Sequence, residues 1–272
     1  MTTPDHQRPP PGAESRRSSV AVPDLCPDDL ADDHTADKIR ERLDLGHRQG
    51  YLPDFIYGAI DGTVTTFAVV SGVAGAELSS SIVIVLGLAN LVGDGFSMAA
   101  SNYSGARVER QLHEKARARE AAEIEVYPEG EREEVRQIYA AKGFQGEDLK
   151  RAVDVITSDK ERWIDTMITD EIGLSLTTRS PIRSAAATMV AFLVIGFIPL
   201  MPFVLQLFTT VTFNAYAWSC TMTAAAFLLV GGIKSRFVEQ HWSWAGLETL
   251  ALGGTAASLA YLVGWSLRGL AG

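Results

Sequence analysis

The residues best suited to chemistry are glutamates that recur at short intervals in the acidic middle of this 272-residue chain. Glu120 and Glu123 are three residues apart, and so are Glu131 and Glu134. Residues at this spacing share one face of a helix. A helical hairpin that turns at Pro128 would bring the two pairs together, as in the carboxylate arrangement of di-iron helix bundles.

A third helix in the same segment adds two candidate ligands, Met167 and Glu171, which are four residues apart. Carboxylate oxygens with an occasional thioether suit iron, manganese or cobalt better than a structural zinc site. The spacing alone leaves another interpretation open. Acidic helices with many basic residues are usually solvated faces with i,i+4 ion pairs, and Glu120 stands among Arg117 and Arg119.

A second group of candidate residues lies in apolar stretches. Asp61 is the only charged residue between Phe55 and Ala76. A charge at the bilayer centre costs about 2.5–3.5 kcal/mol, so such a residue usually marks a pathway, the alternative being a buried structural hydrogen bond. Its helix also carries small or polar residues that would let a second helix approach closely: Gly58, Gly62, Thr65, Ala68 and Gly72.

The next apolar stretch contains a polar or sulfur-bearing residue at every fourth position: Asn90, Asp94, Met98 and Asn102. This spacing predicts a slowly drifting stripe along one helix. With Asp61 and Thr65, the stripe forms the predicted transport path, in which Asp61 and Met98 are the candidate metal ligands. Taken alone, Met98 also fits a lipid-facing or core position.

Charge and apolarity are segregated along the chain, which predicts an all-α membrane protein. Stretches of about 20 apolar residues are long enough to cross a bilayer as helices, and they lack the short alternating segments of a membrane barrel. We expect five spans, at about 55–76, 81–104, 184–206, 212–233 and 247–268. Residues 36–106 would comprise an amphipathic lead-in and the first two spans, and residues 180–272 the last three.

The acidic segment between the second and third spans, residues 107–179, predicts a helical metal-binding module. Its first helix continues the second span until Pro128 interrupts it. We expect helices over 107–126, 129–142, 147–157 and 158–174, the last with Ser158 as its N-cap and Glu161 at the capping-box position.

The amino-terminal residues 1–35 lack the apolar core of a secretory signal and predict a disordered tail. Lysines and arginines concentrate on the cytoplasmic side of membrane proteins. They precede the first span, fill the module and recur between the fourth and fifth spans. The amino terminus and the module are therefore expected in the cytosol.

The chain resembles the vacuolar iron transporter family over about residues 50–270. The resemblance is carried by the runs YGAIDGTVTTFAVVSGVAGA, GLANLVGDGFSMAASNYSGAR, YPEGEREEVRQIYAAKG and ITDEIGLS. It implies a proton-coupled carrier of ferrous iron, and often manganese, built as a dimer of five-span subunits with the path between the two first spans.

By motif position, Asp61 matches the family's intramembrane carboxylate and Met98 its second-span methionine. The residues that match the cytoplasmic metal-binding set are Glu120, Glu123, Glu131, Glu134, Met167 and Glu171. The sequence departs from the family in three places. Ile168 stands where a paired methionine is common, and Asn90 and Asn102 stand where some members carry glutamate.

The function predicted is a secondary transporter that moves divalent metal out of the cytosol in exchange for protons. No Walker motif is present, which argues against an ATP-driven pump. The alternative is a membrane-anchored metal sensor or storage protein. An enzyme with a di-iron-like module is disfavoured, because the module has no Glu-x-x-His pair. The expected partners are divalent metal ions, protons, membrane lipid and a second copy, with no nucleic acid and no organic cofactor.

Overall fold

The computed structural model describes residues 34–46, 50–209, 213–238 and 241–271, and this part of the chain is helical, without strands. The helices are α1 (Ala36–Gly46), α2 (Leu52–Gly75), α3 (Ser80–Val126), α4 (Pro128–Ala141), α5 (Gly146–Thr157), α6 (Lys160–Thr166), α7 (Pro181–Gly196), α8 (Met201–Phe208), α9 (Ala215–Val238) and α10 (Trp242–Ala271). The all-α prediction is confirmed. The predicted disordered tail lies outside the described residues, except for its last two positions.

Five helical segments are long and apolar enough to cross a membrane, as the sequence predicts. They are Leu52–Gly75, Ser80–Val126, Pro181–Phe208, Ala215–Ser235 and Trp242–Leu270. The third contains a short 3-10 turn, Ile198–Leu200, which joins α7 to α8. Pro199 and Pro202 lie at this break, where each removes a backbone donor from the helical ladder.

The first span, α2, is at the centre of the bundle. It packs most extensively against α7 and α10, while α3 and α9 make further contacts with it. A Cβ at Gly62 would lie 2.7 Å from the carbonyl oxygen of Phe192, and one at Gly58 would collide with the backbone of Thr188. These two glycines therefore bring α2 against α7 of the same chain. The close approach expected at these glycines is thus made by α7 and not by a second copy.

A single helix of 47 residues, α3, connects the spans to the module. At 1.5 Å per residue it is about 70 Å long. Its far end packs with α4, α5 and α6 around an apolar core of Ile124, Val135, Val153, Trp163, Ile164, Met167 and Ile168. Arg117 on α3 also pairs with Glu161 and Asp165, which fixes α6 against the long helix.

The last helix of the module differs from the prediction at both ends. Asp159 is the N-cap, because its carboxylate accepts a hydrogen bond of 2.9 Å from the backbone N–H of Arg162. Ser158 instead ends the preceding helix, and its hydroxyl donates to the carbonyl of Val155. The α-helical pattern stops at Thr166, and a π-helical turn, Met167–Glu171, replaces the expected continuation to residue 174.

Candidate functional site

A pocket of about 500 Å³ lies between α2 and α3 and contains the two ligands predicted for the membrane. Helix α2 contributes Asp61 and α3 contributes Met98. The complete lining is Pro53, Asp54, Tyr57, Asp61, Met98, Ser101 and Asn102. A hard carboxylate and a soft thioether thus face the same space, and this combination of ligands suits first-row transition metals.

Asp54 is a pocket residue that the sequence reasoning missed. Its carboxylate is buried. Oδ1 accepts a hydrogen bond of 3.1 Å from Nδ2 of Asn102 and forms an ion pair of 3.3 Å with Arg179. Oδ2 has no hydrogen-bond partner among the described residues. A usable signal was present, because Asp54 and Asp61 are seven residues apart and so lie on the same helix face.

Asn102 takes part in this network as a donor rather than as a carboxylate. Besides Asp54, its amide reaches Oγ1 of Thr188 on α7 at 2.6 Å. The predicted path residue therefore joins three spans at the end of the pocket nearest the module. Asparagine supplies N–H donors that a glutamate lacks, so it stabilises Asp54 where a second carboxylate would repel it.

Two further path residues, Thr65 and Asn90, meet deeper between the same helices. The Asn90 amide donates to the Thr65 hydroxyl over 3.3 Å, and that hydroxyl donates to the carbonyl of Asp61 over 2.9 Å. Asp94 does not line the pocket. It is exposed on α3, close enough to Asp61 for the two charges to repel each other.

In the module, Glu120 and Glu131 are the buried glutamates of the predicted ligand set, with 4% and 7% of their surfaces exposed. Each has one carboxylate oxygen without a hydrogen-bond partner in the described part of the chain. Burial, followed by repulsion from Glu134, raises the pKa of Glu131 to about 7. Burial, followed by the charge of Glu171, raises the pKa of Glu120.

The other three glutamates of the predicted set, Glu123, Glu134 and Glu171, lie near this pair and are more exposed to solvent. Burial and the charges of Glu134 and Glu123 raise the pKa of Glu171. Glu123 also pairs with Arg119 over 2.9 Å. All five predicted glutamates of α3, α4 and the π-helical turn are thus electrostatically coupled. Within the residues that the structure describes, however, no three acidic, histidine or cysteine side chains are placed to hold a metal ion.

Met167 lies in the apolar core of the module beside Ile168, and both are fully buried. The pocket and the module are well separated along α3. From Met98 to Glu120 the helix rises about 33 Å, so one ion cannot contact both sets of residues.

The fold and these residues define a polytopic membrane protein with cation-attracting groups both between its spans and in a helical extension. The chain belongs to the VIT family, whose model matches residues 52–265.

Three relatives show how far this similarity extends. A protein of Toxoplasma gondii named vacuolar iron transporter is 31% identical over 249 residues, which cover 86% of this chain and 82% of the relative. A vacuolar iron transporter of Centaurea cyanus is 30% identical over 209 residues, or 76% of this chain and 84% of the relative. Vacuolar iron transporter 1 of Arabidopsis thaliana is also 30% identical over 209 residues, or 76% and 82%.

Proposed function

We propose that this protein is a secondary transporter that moves ferrous iron, and also manganese, across the membrane in exchange for protons. The observation that carries the proposal is the placing of Asp61 and Met98 in one pocket between two spans. The names of the relatives support iron as the substrate. An anchoring helix needs neither a carboxylate nor a polar pocket, so this pocket favours transport over a purely anchored sensor.

The glutamates of the module would capture the ion before it reaches the pocket. The pKa of Glu131, raised to about 7, means that protons compete with metal near neutral pH, and the pKa values of Glu120 and Glu171 are raised as well. An incoming divalent ion displaces such protons, because only the ionised carboxylate is a good ligand.

We place the amino terminus and the module in the cytosol. This orientation rests on the basic residues before the first span and in the module, following the positive-inside rule. Metal would then be captured on the cytosolic side and exported. No chemical transformation of the substrate is part of this proposal, so the protein is not assigned as an enzyme.

The transporting unit we propose is a two-fold homodimer. Each pocket-lining residue of the described chain comes from α2 or α3, and the two helices leave one side of the pocket open. Asp61 and Met98 are two ligands, whereas octahedral first-row ions take six. A second copy placed against this side would double the ligand set, and closed two-fold dimers are the commonest assembly.

The test is flux through the purified protein in proteoliposomes that contain a pH dye and a metal-sensitive dye. We expect added Fe²⁺ or Mn²⁺ to enter the vesicles and a proton signal of opposite direction to accompany it. Metal binding without flux would favour the sensor or storage alternative. Flux without a proton signal would retain transport but reject the exchange.

A further inference from the structure

Arg179 connects the module to the transport pocket. It lies in the irregular segment between the π-helical turn and α7, near the end of the pocket. Its guanidinium pairs with Asp54 on α2 at 3.3 Å and with Glu109 on α3 at 3.5 Å. The next residue, Ser180, donates its backbone N–H to the hydroxyl of Tyr51 over 3.3 Å. The segment is thus tied to both helices that form the pocket.

The connection bears on the pocket because Asp54, the partner of Arg179, is one of the residues that line it. Its side chain is 7% exposed, whereas that of Arg179 is 34% exposed. An ionised carboxylate that is so buried needs a counter-charge, because removing one partner of a buried pair is strongly unfavourable. The second oxygen of Asp54 remains without a hydrogen-bond partner among the described residues. Oδ1 of Asp54 is therefore held by Arg179 and Asn102, and Oδ2 is buried without a partner, so a further cation reaches this carboxylate only where Arg179 makes room for it.

We propose that Arg179 acts as a tethered competitor cation, which occupies Asp54 until a divalent ion displaces it. The proposal rests on the transport function proposed above and concerns the regulation of that same pocket. Arg179 would be a specificity-determining residue, since it sets how strongly an ion must bind Asp54 to gain access to Asp61 and Met98.

The geometry explains why displacement is possible. When the guanidinium leaves Asp54 it keeps Glu109 as a partner, so it is not left without a counter-charge. A divalent ion brings twice the charge of the guanidinium to the buried carboxylate, and Coulomb attraction scales with that charge. A monovalent ion brings no more charge than Arg179 and lacks its directed hydrogen bonds. The contact therefore discriminates against monovalent ions.

The experiment measures Mn²⁺ uptake by full-length protein in proteoliposomes as a function of Mn²⁺ concentration. Arg179→Gln removes the competing charge, so we expect KM for Mn²⁺ to fall about threefold to tenfold and excess sodium to become a stronger inhibitor. Arg179→Lys keeps the charge and should restore most of the wild-type KM. Arg183→Gln is the matched control, because Arg183 is exposed and makes no ion pair within the described residues.

A double-mutant cycle separates competition from a structural role. In an Asp54→Asn background, Arg179→Gln should no longer lower KM, because the contested carboxylate is gone. A lower maximal rate with unchanged KM in Arg179→Gln would overturn the proposal and make Arg179 an anchor of the segment. So would an equal drop in KM with and without Asp54.

The Glu109→Gln variant tests the same proposal through a change of KM in the opposite direction. It leaves the ion pair between Arg179 and Asp54 intact. Without Glu109 the guanidinium has a single partner, so KM should rise, and a fall would contradict the proposal. This arm decides the question if Arg179→Gln does not fold. Absence of uptake by the wild-type protein and by Arg183→Gln would instead reject the transport function itself.

Discussion

Asp61 is a partly buried carboxylic acid in an otherwise apolar span. Its position is possible because the side chain faces the pocket between α2 and α3. Polar neighbours are close by, since the Thr65 hydroxyl donates to the carbonyl of Asp61 and also receives the amide of Asn90. The helix at this level is therefore polar on the pocket side and apolar where it packs against α7. The carboxylate is available to an ion, not fixed in a salt bridge within the described part of the chain.

Replacing Asp61 by asparagine is expected to reduce metal flux at least tenfold while leaving the fold unchanged. The amide occupies the same volume but offers neither a negative charge nor a proton to exchange. Flux is measured in proteoliposomes and folding by size-exclusion chromatography. Glu77→Gln is the control, because Glu77 is an exposed acid between the first two spans that pairs with Arg268. Equal flux in both variants would reject the role of Asp61.

Two glutamates of α4 show how position decides acidity. Glu131 faces the module interior, and its burial and acidic neighbours raise its pKa to about 7. Glu133 faces outward, and hydrogen bonds from Arg136 and Gln137 lower its pKa to about 2. The carboxylate that is ready to exchange protons at neutral pH is therefore the buried one.

Metal binding by the module should weaken as the pH falls through 7. Glu131 holds its proton below its pKa of about 7, and a metal ion must displace that proton to bind. From about pH 8 to about pH 6, a single site with this pKa loses ionised carboxylate, and hence affinity, by about tenfold. Calorimetric titration of the full chain with Mn²⁺ measures the effect.

In that titration, Glu131→Gln should weaken binding and flatten its pH dependence, whereas Glu133→Gln should change neither. An unchanged pH profile in the Glu131 variant would show that another group releases the proton. Equal isotherms for the wild-type protein and for a variant with Glu120, Glu123, Glu131 and Glu134 replaced by alanine would return these residues to the solvated-face interpretation.

At the scale of elements, the packing of α2 against α7 leaves no room for a larger side chain at Gly62. Gly62 meets the backbone of α7 so closely that an added methyl group would lie 2.7 Å from the carbonyl oxygen of Phe192. Gly62→Ala should destabilise the protein by about 1–3 kcal/mol, the usual cost of overpacking. Thermal unfolding in detergent measures the loss.

The control for this substitution is Gly254→Ala in α10, where an added Cβ meets no described atom within 4 Å. We expect it to leave the melting temperature unchanged or slightly higher, because alanine favours helix over glycine. A Gly62→Ala protein as stable as this control would mean that α2 and α7 separate easily.

The π-helical turn illustrates what local sequence signals leave undetermined. A capping pattern at Ser158 and Glu161 predicts a helix over 158–174, and a helix is present at Lys160–Thr166. The choice of Asp159 over Ser158 as N-cap depends on which side chain reaches the N–H of Arg162. The wider turn depends on packing Met167 and Ile168 into the module core. Such π turns frequently occur at functional sites, and this one carries Glu171.

For the whole molecule, the open side of the pocket predicts crosslinking between two copies. Tyr57 is 67% exposed there, and Thr65 and Ala68 are partly exposed on α2. Cysteine at position 65 or 68, in a background without Cys26 and Cys220, should form a disulfide-linked dimer. Cysteine at the exposed position Thr255 of α10 is the control. No crosslink at 65 or 68, together with transport by a purified monomer, would contradict the dimer.

Composition predicted the five spans, because long apolar stretches leave few alternatives to membrane helices. Spacing by three and four residues predicted the glutamate set, because whether two residues share a helix face depends only on the geometry of that helix. The pairing of Asp54 with Arg179 could not be found in this way, since the two residues are 125 residues apart along the chain. The contact of Gly58 and Gly62 with α7, rather than with a second copy, is likewise a product of tertiary packing.

Because α3 is one continuous helix, a small rotation at its membrane end produces a large displacement at its far end. If a helix of about 70 Å pivots at its membrane end by about 5°, its far end swings by about 6 Å. That displacement exceeds a metal–oxygen bond of about 2.0–2.6 Å. Any rotation of the second span would therefore produce a larger displacement at Glu120 and Glu123 than at the membrane. The ion pairs of Arg179 would meanwhile hold the segment that leads from the module to α7. Because the end of α3 belongs to the apolar core of the module, the module and its carboxylates would be displaced together relative to the pocket.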